Sequence, residues 1–98
     1  MKTVTLKQVI EIVNSSIYDT PEKTDNNNIL LVDETMTEND LTQFGMDSIS
    51  FIKMIVSLEE VFECQIPDEK LLLTEMNTTN KIIDVLRKLE YDNNENHR

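Results

Sequence analysis

The chain has 98 residues, enough for one small domain and too few for two. With 39% of its residues apolar, one glycine and two prolines, it lacks the turn residues that a small all-β domain needs, so the expected class is all-α. The net charge of -10 argues against binding nucleic acid or an anionic membrane surface and favours protein partners that carry basic patches.

The first expected helix is "TVTLKQVIEIVNSSIYD", with Leu6, Val9, Ile10, Val13 and Ile17 on one apolar face. Thr5 followed by Gln8 reads as a capping box. The long connection "TPEKTDNNNILLVDETMTENDLTQFGMD" comes next. Its Asn run is expected to be exposed, whereas "ILLV" at 29–32 is expected to pack on the helices, because a loop of this length is usually structured or functional. Leu41 and Phe44, three apart, are expected to form a turn that pins the loop ahead of Gly45.

The second helix is expected from Ser48 to Glu63, with Asp47 as its N-cap. Ile52, Ile55, Leu58 and Phe62 mark its buried stripe, widened by Phe51, Met54 and Val61. Pro67 breaks the run, and Asp68 is expected to cap a short helix over Glu69 to Leu73. The last helix is expected from Thr78 to Leu89, with Ile82, Ile83, Leu86 and Leu89 inward and "YDNNENHR" fraying. The expected architecture is an all-α small four-helix bundle: three main helices, one short helix and a long first loop. The expected domain is 1–91, with 92–98 a polar, disordered tail.

The charge is uneven. Residues 19–46 hold seven acids and one lysine, and residues 47–70 hold six acids and two lysines, so the field centres on the loop and the second helix. Cys64 is the sole cysteine, which rules out an intrachain disulfide and suits a reducing compartment. No signal-peptide core or membrane-length apolar run is present in the sequence, and the expected setting is cytoplasmic.

The chemistry turns on Ser48, which follows the only glycine, Gly45, by three positions. As a hydrolase nucleophile it needs a base, but the only histidine is His97 in the tail and Lys53 lies at a poor helical spacing. No G-x-S-x-G occurs, so autonomous serine catalysis is not expected and no catalytic residue is assigned. Two readings stay open. Ser48 is a helix start and nothing more, or it is a serine that another enzyme modifies at a helix N-terminus, where free N–H groups and the dipole favour an attached phosphate.

"LTQFGMDSIS", Leu41 to Ser50, resembles the modification motif of acyl carrier proteins and peptidyl carrier proteins. The resemblance continues through "ISFIKMIVSLEEVFECQIPDEKL" and "MNTTNKIIDVL", so it covers Leu41 to Leu86 closely. It implies that Ser48 accepts 4'-phosphopantetheine from coenzyme A, with Gly45 and Asp47 shaping the approach. A phosphopantetheinyl transferase would perform that step, and the arm's thiol would then carry an acyl or aminoacyl group as a thioester. Further implied partners are a loading ligase or transferase and downstream synthase or transferase enzymes. The protein itself would catalyse nothing and act as a monomer. Glu59 and Glu60, with Asp47 at the helix start, are candidates for pairing with partner Arg and Lys. Ile49 and Val56 are candidates for an exposed apolar patch, and Met46 and Met76 for partner or arm contact.

The sequence departs from fatty-acid-type carriers where Ser50 and Lys53 stand at positions commonly acidic there, and the connection after "IPDE" is about two residues longer. The first departure argues against service to a standard fatty acid synthase; the longer connection, together with the Asn run in the first loop, points to a specialised pathway, such as polyketide, nonribosomal peptide or a single acyl or aminoacyl transfer. The rival is a small acidic helical adaptor for a basic partner, with Ser48 only a cap. No metal site is expected, because "DNNNILLVDE" lacks the glycine and alternation of a calcium loop. Cys64 is expected to be a structural thiol.

Overall fold

The computed structural model describes residues 1–18 and 32–95. Three α-helices, α1 (Leu6–Ile17), α2 (Ser48–Phe62) and α3 (Thr79–Glu95), are joined through 3-10 turns at Glu34–Met36, Leu41–Phe44, Asp68–Lys70 and Leu73–Glu75. No strand occurs among the described residues, so the fold is the expected all-helical bundle.

The first helix packs against both α2 and α3. Thr5 caps it by accepting the Gln8 N–H at 3.3 Å, and its hydroxyl donates to Gln8 Oε1 at 2.9 Å, so the box closes side chain to side chain. Val9, Ile10, Val13 and Ile17 are buried as expected, while Leu6 is half-exposed. Ile12 and Ser16 are buried too, because two neighbouring helices cover a wider arc than one stripe. Burial of Ser16 is made tolerable by its hydroxyl, which donates to Ile12 O at 2.9 Å.

The buried side of α2 is Ser50, Phe51, Met54, Ile55, Leu58 and Phe62. Ile52 and Val61, expected in the core, are 62% and 39% exposed. Ile52 lies about 60° beyond Ile55, past the edge of the buried arc, whereas Val61 sits within that arc, in register with Met54, but is exposed in the last turn of the helix. The helix ends at Glu63, whose left-handed φ of 55° turns the chain. Phe62 O accepts the Lys2 N–H there at 2.8 Å, and Lys2 pairs with Glu63 at 3.4 Å.

The short helix expected over Glu69–Leu73 is two 3-10 turns instead, and no side chain caps the first. Leu72 between them is extended, so Leu71 and Leu73 pack on the core while Leu72 points out. This alternation buries two leucines that one continuous helical turn would place on different sides. The third helix starts where expected, with Thr78 Oγ1 accepting the Lys81 N–H at 3.1 Å. Ile82, Val85 and Leu86 are buried, and Ile83 and Leu89 partly so. It runs to Glu95 rather than ending near Leu89. Glu90 accepts the Val4 N–H at 3.1 Å, which ties the turn after Leu89 to the N-terminal segment, and neither Gly nor Pro interrupts the run. Residues 96–98 of the expected fraying tail lie outside the described residues.

Of the "ILLV" stretch, Val32 is described. It is buried, and its N–H and C=O pair with the Asn14 amide at 2.9 and 3.0 Å. Further along, Leu41 N–H donates to Asn77 O at 2.7 Å, and Asn77 Nδ2 donates to Asp40 Oδ2 at 3.1 Å. These bonds tie the loop leading to α2 to the segment leading to α3.

Candidate functional site

The loop delivers Ser48 by a chain of local constraints. Asp40 starts the 3-10 turn by accepting the Thr42 N–H at 3.0 Å. Leu41 and Phe44 are buried and anchor that turn, as expected. Gly45 then takes φ 100° and ψ 10°, a left-handed conformation, and Met46 N–H reaches back to Leu41 O at 3.2 Å. The sole glycine is thus required by the backbone itself. Asp47 is extended and accepts the Ser50 N–H at 2.8 Å, which caps α2 and fixes Ser48 as its first residue. Ser48 is exposed, and no hydrogen bond holds its hydroxyl among the described residues.

A groove of about 350 Å³ opens beside Ser48, walled by Phe51, Ile52, Ile55 and Val56 of α2 and by Leu71–Leu73 opposite. The three leucines escaped the reading of the sequence as site residues, because their run looked like one core turn. A signal is available in "LLLT": three consecutive apolar residues cannot all share one side of a helix or an extended segment.

The other expected site residues divide. Ile49 and Val56 are 67% and 48% exposed, on the same side of α2 as Ser48. Glu60 is exposed as well, but Glu59 is half-buried and its carboxylate accepts the Ile66 N–H at 2.9 Å, so it braces the chain after the helix. Met46 and Met76 are buried at 3% and 0% exposure, which overturns the expectation that they offer a contact surface. Met46 follows the glycine turn inward and Met76 closes the second 3-10 turn; both belong to the core. Ser50 is also buried, so its lack of charge reflects packing rather than partner choice. Cys64 is half-buried; burial, then the nearby Glu59 carboxylate, pushes its thiol pKa up against a smaller opposing pull from the N-terminal ammonium. A thiol so disposed stays protonated and unreactive at neutral pH. His97 lies outside the described residues. No cluster of metal-ligating side chains is found among the described residues, nor any helix long and apolar enough to cross a membrane.

The arrangement fits a phosphate-bearing arm. An exposed hydroxyl stands at the start of a fifteen-residue helix, where the first-turn N–H groups and the positive end of the dipole favour an anion. The groove beside it offers an apolar wall to whatever is tethered there.

The family model described as "Phosphopantetheine attachment site" matches residues 28–86, more than half of the chain. No solved structure gave a significant match. The chain therefore belongs to the family of carrier domains that bear covalent 4'-phosphopantetheine.

Proposed function

We propose that Ser48 is the attachment point and that the protein ferries acyl or aminoacyl groups between partner enzymes without catalysing a reaction itself. The observation that carries this reading is the position of Ser48: exposed, first in α2, behind the left-handed Gly45 and the Asp47 cap, and at the mouth of an apolar groove. In the loading step Ser48 Oγ attacks the pantetheine-bearing phosphorus of coenzyme A, and a P–O bond forms. The bond to the adenosine-bearing phosphate breaks, adenosine 3',5'-bisphosphate leaves, and the serine proton passes to a base on the transferase. Asp47 orients the helix start and is not that base, since its carboxylate is turned to the Ser50 N–H. Once attached, the arm's terminal thiol supplies the thioester chemistry.

The reading extends to a monomer in the cytoplasm that serves a phosphopantetheinyl transferase, a loading ligase or transferase, and downstream synthase or transferase enzymes. A specialised pathway is favoured by exposed Lys53, which stands where fatty-acid-type carriers are commonly acidic. Intact mass before and after incubation with coenzyme A and a broad-specificity transferase tests the assignment. The wild type should gain one phosphopantetheine, and Ser48→Ala should fold and gain nothing. A loaded Ser48→Ala protein would move the site elsewhere.

A further inference from the structure

The groove wall opposite α2 is held less firmly than the helices around it. From Pro67 to Met76 the backbone bonds are local, such as Leu71 N–H to Asp68 O and Met76 N–H to Leu73 O, and among the described residues none joins this segment to another element. No side chain caps either of its 3-10 turns, and the Lys70–Glu75 ion pair at 3.6 Å is internal too. Leu71 and Leu73 pack on the core, but a hollow of about 390 Å³ lies behind the segment, against α3. The wall therefore stands between two open spaces.

Its polar tie to the rest of the molecule is Lys81, in the first turn of α3. The Lys81 ammonium donates to Thr74 O at 3.3 Å and to Asn77 Oδ1 at 3.0 Å. Asn77 Nδ2 donates in turn to Asp40 Oδ2 at 3.1 Å. Asp40 Oδ1 accepts from Thr42, at the start of the turn that leads to Gly45 and Ser48. One chain of hydrogen bonds thus runs from the wall to the loop, and it needs the amide of Asn77, which accepts at one end and donates at the other.

We propose that Lys81 and Asn77 form a clasp that couples the Leu71–Leu73 wall to the loop in front of Ser48, so that the two loosen together. On the carrier reading, a group tethered to Ser48 that parts the groove is then felt in the loop that presents the serine. The coupling itself belongs to the unmodified chain.

The test is amide hydrogen exchange on the unmodified full chain, followed residue by residue by NMR. Lys81→Met keeps the stem and removes the donors. It should speed exchange at Glu75 and Met76 in the wall, and at Gln43 and Gly45 in the loop, by about three- to tenfold. The core amides of Val13 and Leu58 should not change, which separates local loosening from global destabilisation. Lys81→Arg should restore slow exchange, since a guanidinium can donate to both oxygens. Asp40→Ala should speed exchange in the wall, which Asp40 reaches through Asn77 and Lys81. The double variant should exceed the larger single effect little, as expected for members of one chain. A wall that exchanges at the wild-type rate in Lys81→Met or Asp40→Ala, or fully additive effects, would show wall and loop to be independent and overturn the clasp. Failure of Ser48 to accept phosphopantetheine would remove the carrier reading and leave the clasp standing.

Discussion

The first two helices are both rich in β-branched and other apolar residues, yet they dispose of them differently. In α1 every large apolar side chain is buried or half-buried, because α2 and α3 both pack on it. In α2 a full apolar stripe faces the core, and Ile49, Ile52 and Val56 remain in water on the other side. One exposed isoleucine needs no explanation. Several on one side of a helix, beside an exposed serine and a groove, are apolar surface that folding does not use. The contrast teaches that hydrophobic patterning alone does not tell which apolar side chains a helix buries: that depends on how many neighbours the fold gives it.

The sharpest way to break this comparison is to truncate both sides of α2. Phe62→Ala removes a fully buried ring and should destabilise the protein by about 3–5 kcal/mol in urea denaturation. Ile52→Ala should cost under ~0.5 kcal/mol. A comparable loss for Ile52 would mean that its side supports the fold after all, and the distinction between the two faces would collapse.

The next effect concerns how the serine is delivered. A Cβ on Gly45 would meet only Ile17 Cγ2 at 3.8 Å, an ordinary contact, so the cost of Gly45→Ala comes from φ 100° and not from crowding. That cost should be about 1–2 kcal/mol. Gly45→Asn should lose less, because Asn tolerates left-handed backbone better than Ala. Equal losses for the two variants would point to crowding, contrary to the open space beside the glycine.

Much of this was legible in the sequence because it is local. Thr5, Asp47, Gly45 and the Leu41–Phe44 turn are governed by short-range capping and backbone preference, and each stands where expected. The misreadings come from tertiary packing. The helical spacing places Ile52 inward because nothing local says which side of α2 lacks a neighbour, and it places Val61 inward correctly by angle but not by exposure, since the last turn of the helix is open. Met46 and Met76 looked available because they flank loops, but the loops fold back and bury them. Leu71–Leu73 needed the extended Leu72 to be seen as a groove wall, and that conformation is set by packing on the core. The extension of α3 to Glu95 depends in part on Val4, some 86 residues away in sequence.

The smallest effect tests whether the loop before Ser48 is held electrostatically as well as by packing. Asp40 accepts from the Thr42 N–H, then from its hydroxyl, and from the Asn77 amide, with Lys81 nearby; these hold its pKa below the ordinary 3.8. A carboxylate whose folded pKa is depressed stabilises the fold fully above its unfolded pKa, and that contribution is lost as pH falls through the folded value. Asp33 behaves alike through the Thr35 hydroxyl and N–H. Both carboxylates are exposed to solvent, so each effect is minor. Asp40→Ala should therefore lower the urea midpoint slightly at pH 6, and the gap to wild type should shrink as pH falls below about 4. A gap that persists undiminished at pH 2.5 would show that the ionised carboxylate is not its source. The loop would then be held by the uncharged Leu41–Asn77 backbone bond and the buried Leu41 and Phe44, and α2 would owe its placement to the core it faces rather than to the charges around Ser48.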